Sequence, residues 1–362
     1  MTTQLTEIAR QATLVGPRAI EVLDVPLAAV AAGEVLLHTL YSGISAGTEM
    51  NVYQGSAPLW RTRRDHDTGL FEPTDQPEWT YPMPYGYAAV SRVHTVGAGV
   101  TNVREGNLVF TFTPHVSARV VAAESVMLLP HLADPRVGVL NANLNTAYNG
   151  VLDAHPNLGD VVVVSGLGVI GLIIVQLLHR AGIRVFAVDG IAERRTLAES
   201  FGAELTFAPG PDVARAVRRL TSDRGADIVI EVSGASVALN EAIRIVGYCG
   251  TVIAMSWYGG TFETLNLSGE FHHNRPKIIA SQVGGLSPAL GPLWNLARRQ
   301  EVVGELMTTL ELSSLITHEV DIENAGEAYQ LVDSRPDDLV QCLITYGRSD
   351  ESAPRVSSRG TN

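Results

Sequence analysis

Cysteine is scarce in this chain, with two among 362 residues, Cys249 and Cys342. Both sit in apolar runs and read as small buried core residues. Neither belongs to a Cys-x-x-Cys pair, which excludes a structural zinc site built on thiolates. Excess positive charge is also missing. The formal net charge is −12, which argues against nucleic acid or an anionic membrane as a partner, because binding phosphates needs clustered Lys and Arg. The N-terminal Met1-Thr-Thr-Gln-Leu-Thr-Glu7 lacks a basic segment followed by an apolar one, so no secretory signal is expected and the cytoplasm is the default location.

One stretch is apolar enough to raise the question of a membrane span. Val161 to Leu178 runs for 18 residues without a charge, at the threshold for crossing a bilayer. Its three spaced glycines, Ser165 and Gln176 argue against a span. A strand and a helix buried in a parallel sheet give the same hydropathy.

That stretch is also the most informative in the chain. Val161-Val-Val-Val-Ser-Gly166-Leu-Gly168-Val-Ile-Gly171, an apolar segment and then Arg184-Val-Phe-Ala-Val-Asp189 read as strand, glycine turn, helix and second strand ending in an acid. Gly166 permits the tight turn, Gly168 lets the backbone approach a pyrophosphate, and Gly171 lets the helix pack close to the strand. Val169 and Ile170 open the helix, whose N-terminal amides and dipole favour phosphate. A carboxylate at Asp189 accepts from a ribose 2′-hydroxyl and repels a 2′-phosphate, which favours NAD. Arg194 and Arg195 follow at the start of a helix and leave NADP open.

Residues from about 8 to 135 are β-rich, with candidate strands at 12–15, 19–23, 34–41, 87–96, 108–112 and 118–122. Strands at this spacing with Gly-rich turns suggest a partly closed barrel. From about 136 strands alternate with helices, at 161–165, 184–189, 204–207, 227–232, 251–255 and 278–281, with helices at about 169–181, 192–201, 211–221 and 236–247. This predicts an α/β fold built on a doubly wound parallel sheet. The pattern turns mixed after about 290. The expected division is therefore a first domain split between 1–135 and 290–350, a nucleotide-binding domain at 136–289, and a polar, disordered tail at 351–362.

In this order, several segments carry a resemblance: Gly43-Ile-Ser-Ala-Gly-Thr-Glu49, Tyr85-Gly-Tyr-Ala-Ala-Val90, Phe110-Thr-Phe-Thr-Pro-His115, Asn145-Thr-Ala-Tyr148, the glycine turn, and Glu270-Phe-His-His-Asn-Arg-Pro-Lys277. Together they resemble the medium-chain dehydrogenase/reductase superfamily, and within it the zinc-alcohol-dehydrogenase-like branch that includes bacteriochlorophyllide dehydrogenases. The resemblance implies a GroES-like catalytic barrel, a Rossmann domain, hydride transfer to or from NAD(P), and a homodimer joined through edge strands. The metal ligands of the branch are not where they should be. Ser45 stands in place of a cysteine, Gly86-Tyr87-Ala88 in place of Gly-His-Glu, and Asn141-Ala-Asn-Leu144 offers no third ligand. The four-cysteine loop is replaced by an unrelated insertion over 55–82. A catalytic zinc needs three protein ligands of His, Cys, Asp or Glu type, so no metal is expected.

Without zinc, hydrogen-bond donors or a general acid must polarise the reacting oxygen. The candidates at matching positions are Ser45, Thr48, Tyr87, His115, Asn145 and Tyr148. His115 is the natural proton carrier, because an unperturbed imidazole titrates near neutrality. Glu49, in the first turn of a helix, reads as a dipole partner, with a general base as the alternative. Cofactor contacts are expected from Thr146 and from strand ends at Ser233, Gly234, Met255, Ser256, Ser281 and Gln282. His272 and His273, being adjacent, point apart and do not form a joint metal site. Trp60-Arg-Thr-Arg-Arg64-Asp-His66 reads as a solvated loop, with gating or binding of an anionic substrate as the alternative. The expected activity is a zinc-independent NAD(P)-dependent oxidoreductase acting on an alcohol or carbonyl of a polar small molecule. Reduction of an activated C=C bond, or cofactor binding without turnover, are the alternatives.

Overall fold

The computed structural model describes residues 8–258 and 265–347. The expected tail at 351–362 lies outside the described residues. Six parallel strands form one sheet, in the spatial order Leu205–Phe207, Arg184–Val188, Val161–Ser165, Ala226–Glu231, Val246–Ala254 and Lys277–Ala280. Numbered in sequence, this is the 3-2-1-4-5-6 order of a doubly wound nucleotide-binding sheet. Val161 to Val164 are completely buried, because helices cover both faces of a parallel sheet. The uncharged run therefore divides into the strand Val161–Ser165 and the helix Val169–Arg180. Among the described residues no helix is long and apolar enough to cross a membrane.

The β-rich part is a separate unit. Its central strand, Glu34–Ile44, pairs antiparallel with Ala89–Val96, Ala118–Ala122 and Gln341–Thr345. Two register shifts in its pairing with Ala89–Val96 bend the ladder, as bulges do, and curl the sheet toward a barrel. The hairpin Ile8–Gly16 and Ala19–Pro26 pairs with Met83–Pro84. Gln341–Thr345 returns from the far end of the chain to lie beside Glu34–Ile44, so the barrel is built from both ends of the described sequence.

The helix Asn141–Ala154 joins the two units and packs on Val169–Arg180 and Leu296–Met307. Asn141, Asn143, Asn145, Asn149 and Gly150 are weak helix formers, so its helical signal is faint in the sequence. The structure also corrects one expectation about the core. Cys342 is buried, but Cys249 is exposed, in a left-handed conformation with φ 58° that turns it out of the sheet.

Candidate active site

The glycine turn has the geometry a dinucleotide requires. Gly166 has φ 101°, and a Cβ there would lie 2.6 Å from the Ser233 nitrogen. A Cβ on Gly171 would meet the Gly166 carbonyl oxygen at 1.9 Å, which only glycine avoids. At Gly168 a Cβ would meet nothing within 4 Å, and no side chain caps the helix that starts at Val169. The backbone there opens onto free space with the positive end of a helix behind it, the environment a pyrophosphate fits. The Asp189 carboxylate stands at the same edge. It accepts from the Leu167 amide of the turn at 2.6 Å and from the Ile191 amide at 2.8 Å.

Across the cleft the barrel presents hydroxyls. Thr48 starts the helix Thr48–Tyr53, Ser45 opens the loop that follows the strand Glu34–Ile44, and the Tyr87 phenol is a neighbour of both side chains. Burial, with help from the nearby Glu49 charge, pushes the Tyr87 phenol up to about 12, against the opposing effect of the neighbouring Ser45 and Thr48 hydroxyls. A phenol so placed keeps its proton at neutral pH and has a hydrogen to donate. The single lysine of the chain, Lys277, sits on the far edge strand of the parallel sheet.

Beneath this trio lies a polar network whose centre, Glu49, His115, Ser42 and Tyr329, is buried. The Glu49 side chain is completely buried. One of its oxygens accepts the Ser45 amide at 2.9 Å. The other accepts the Tyr329 hydroxyl at 2.7 Å and lies 3.0 Å from His115 Nε2. His115 Nδ1 lies 2.6 Å from Ser42 Oγ, which in turn lies 2.6 Å from the Tyr346 hydroxyl. Gly86 permits this packing, since a Cβ there would press on the His115 ring at 2.8 Å, and Tyr87 follows directly. The network thus holds the backbone of both hydroxyl-bearing segments.

Several expected site residues fall elsewhere. His115 is not in the cleft: its ring is fully enclosed and both nitrogens are engaged within the protein, so it reaches the reaction only through neighbours. Glu49 does stand in the first turn of its helix, but as a completely buried acceptor. Asn145 donates to Asn141 and to Gln300 Oε1, Thr146 to the Ala142 carbonyl of its own helix. The Tyr148 ring lies 6.1 Å from that of Trp294. Arg194 donates to the Leu339 carbonyl of the barrel unit, while Arg195 donates to the carbonyls of Asp189 and Gly190. His272 and His273 lie on a short surface helix, Glu270–Asn274.

At the carboxyl edge of the parallel sheet, Ser233, Gly234, Met255, Ser256, Ser281 and Gln282 follow the strands as expected. Met255 packs on Gly150. Ser281 Oγ accepts from Asn149, whose amide oxygen accepts from the buried Arg299. Two buried charges there escape sequence reading. Arg299 donates to Asn149 and to the carbonyls of Val283 and Gly285. Glu231 accepts the Ser233 amide and the hydroxyls of Ser233 and Tyr258, and burial raises its carboxyl above the usual range. An acid closing an apolar strand was the available signal for Glu231. For Arg299, Ser42, Tyr329 and Tyr346, whose partners are distant in sequence, no local signal exists.

The donor set does not suit zinc. Ser45 and Tyr87 offer neutral hydroxyls, Ala88 offers nothing, and the imidazole behind them is fully engaged. Among the described residues no three His, Cys, Asp or Glu side chains are grouped to hold a metal ion, whereas catalytic zinc takes three such ligands.

A sequence family described as "Zinc-binding dehydrogenase" matches residues 169–298. The D-guloside 3-dehydrogenase of Escherichia coli (strain K12) is 30% identical over 342 residues, covering 91% of this chain and 98% of the relative. Among solved structures, 2R,3R-butanediol dehydrogenase from Bacillus subtilis superposes with a TM-score of 0.75 at 20% identity, over 93% of this chain and 99% of that one. An alcohol dehydrogenase from E. coli CFT073, solved with NADH, has a TM-score of 0.73 at 18% identity, over 93% and 99% of the two chains.

Proposed function

This chain belongs to the medium-chain dehydrogenase/reductase superfamily, in its zinc-binding dehydrogenase family, and from that premise we propose that it interconverts an alcohol and a carbonyl of a sugar or polyol with NAD and without a metal. The observation that carries the reading is the hydroxyl trio at the expected metal position: the Tyr87 phenol, protonated at neutral pH, beside Ser45 and Thr48. The D-guloside 3-dehydrogenase relative supports a polyhydroxylated substrate.

When bound, the nicotinamide supplies the hydride acceptor or donor. The protein supplies position and proton. The glycine turn and the N-terminus of the helix Val169–Arg180 would hold the pyrophosphate, and Asp189 would accept from the ribose hydroxyls. In the reductive direction Tyr87 donates to the substrate carbonyl oxygen as charge develops there, and the proton it gives up is replaced from solvent at the mouth of the cleft. In the oxidative direction the substrate hydroxyl gives its proton along the same hydroxyls to water. Asp189 supports NAD over NADP, since Arg194 and Arg195 donate to main-chain carbonyls. The proposal extends to a homodimer. Among the described residues Lys277–Ala280 ends the parallel sheet with Ile278 and Ile279 exposed, and an apolar edge strand favours pairing with a second chain.

The test is NADH formation by metal-analysed protein over a panel of methyl glycosides, polyols and simple alcohols. Turnover with substoichiometric zinc and no loss on chelation is the expected result. Stoichiometric zinc whose removal abolishes activity would overturn the metal-free reading. Consumption of NADH with enones alone would overturn the choice of alcohol and carbonyl.

A further inference from the structure

Three of the four tryptophans of the chain meet in one place. The Trp60 ring stacks on Tyr81, centroids 4.2 Å apart and planes within 23°. Trp79 meets Trp60 edge-on at 5.7 Å, Tyr85 at 5.6 Å and Trp257 at 6.2 Å. Four of these five rings come from the insertion that replaces the four-cysteine loop and from the segment just after it. Trp257 comes from the other side of the cleft, two residues after Met255 at the carboxyl edge of the parallel sheet. The basic residues of the Trp60–Arg64 segment stay on the surface, so its aromatic member, not its charge, joins the cleft.

The panel is tied to the hydroxyl trio at two points. The Trp60 indole N–H donates to the Val52 carbonyl at 3.2 Å, and Asn51 Nδ2 donates to the Trp257 carbonyl at 3.1 Å. Both partners lie on the helix that begins at Thr48. Tyr85, at one end of the panel, is two residues from Tyr87. The aromatic surface therefore runs from the hydroxyls to the strand ends that border the cofactor, with Trp79 half-buried and Trp257 exposed.

Aromatic faces are electron-rich and attract polarised C–H groups. A pyranose chair shows a flat patch of such C–H groups on one face and carries its hydroxyls around the rim. An open-chain polyol has no such face. An apolar alicyclic alcohol has the face but brings no rim hydroxyls to meet the polar side chains of this site, Ser45, Thr48 and Tyr87, and so gains no hydrogen bonds in return for desolvating them. We infer that Trp79 and Trp257, backed by Trp60, Tyr81 and Tyr85, are specificity-determining residues that stack on the C–H face of a pyranoside while Tyr87 addresses one of its ring hydroxyls. This rests on the dehydrogenase reading for the identity of the reacting group, but the stacking is measurable without turnover.

The experiment is calorimetric titration of the NADH-saturated protein with methyl pyranosides, an open-chain hexitol and cyclohexanol, for wild type, Trp79→Ala, Trp79→Phe and Trp257→Ala. The wild type is expected to bind a pyranoside roughly tenfold more tightly than the hexitol. Trp79→Ala should abolish that preference while leaving hexitol binding within about twofold, and Trp79→Phe should restore part of it, in line with the energy of one to two aromatic contacts. Trp257→Ala gives the same comparison if Trp79→Ala does not fold, as judged by its NADH affinity and melting temperature. Equal loss for pyranoside and hexitol, no loss for either, or tighter binding of cyclohexanol than of any pyranoside overturns the inference. Trp79-dependent pyranoside binding with no hydride transfer to any alcohol would uphold it and sink the dehydrogenase reading instead.

Discussion

His115 Nε2 lies 3.0 Å from Glu49 Oε2, and neither side chain has any exposed surface. Because the same carboxylate also accepts from the Tyr329 hydroxyl and the Ser45 amide, its removal strands three buried donors at once. Each unsatisfied buried group costs about 1–3 kcal/mol. Glu49→Ala should therefore lower the unfolding free energy by at least about 3 kcal/mol, read from urea denaturation. Glu49→Gln, which keeps one acceptor oxygen, should cost clearly less. If the two variants are equally stable, the network does not support the fold.

Tyr87 is the residue on which the proposed chemistry depends. Tyr87→Phe removes one donor from the reacting oxygen and should lower kcat about 100-fold, the scale of losing one such donor, with NADH affinity and melting temperature unchanged. Ser45→Ala and Thr48→Ala remove hydroxyls beside the phenol rather than the phenol itself, and smaller losses are expected. The protonated phenol is the active form in reduction, and its position near 12 keeps it protonated across the neutral range. The rate of carbonyl reduction should show no alkaline loss due to Tyr87 below about pH 10. An alkaline limb below that value which vanishes in Tyr87→Phe would contradict the assignment.

The nucleotide half of the molecule was legible because its signals are local. Gly166 to Gly171 and Asp189 lie within one strand–helix–strand unit, and their spacing alone implies the turn and its ligand. The alternation of apolar strands with helices also predicts a doubly wound parallel sheet. The barrel site was legible only by position. Ser45, Thr48 and Tyr87 are candidates through the resemblance alone, and nothing near them in sequence indicates that Glu49 is enclosed. Its burial depends on Tyr329, contributed from 280 residues away. His115 was misread for the same reason: its neighbours Ser42 and Tyr346 reach it only through the pairing of Glu34–Ile44 with the returning strand Gln341–Thr345. The aromatic panel was divided among segments that looked unrelated, and its one visible member, Trp60, sits beside basic residues that draw attention to charge.

Asp189 offers a test of cofactor choice. Its two oxygens already accept from Leu167 and Ile191, so the carboxylate is held in place before any ribose arrives. Asp189→Asn removes the negative charge and replaces one of those acceptors with a donor. The expected result is a fall of about tenfold in kcat/KM for NAD and a rise in the ratio of NADP to NAD efficiency. An unchanged ratio would mean that the discrimination lies elsewhere.

Glu231 makes a prediction about stability against pH. Its carboxyl is fully buried at the end of Ala226–Glu231, and burial, the largest influence, raises it above the ordinary value of about 4.5 despite the donors from Ser233 and Tyr258. The folded protein therefore holds this proton more tightly than the unfolded chain does. The corresponding stability is complete below about pH 4.5 and is lost as pH rises through the higher folded value. Glu231→Gln cannot ionise and escapes that loss. Measured by urea midpoints at a series of pH values, the stability of the variant relative to wild type should climb as pH increases from about 4.5 toward neutrality. A difference that stays flat or falls over that range would show that the donors around Glu231, not its burial, control its ionisation.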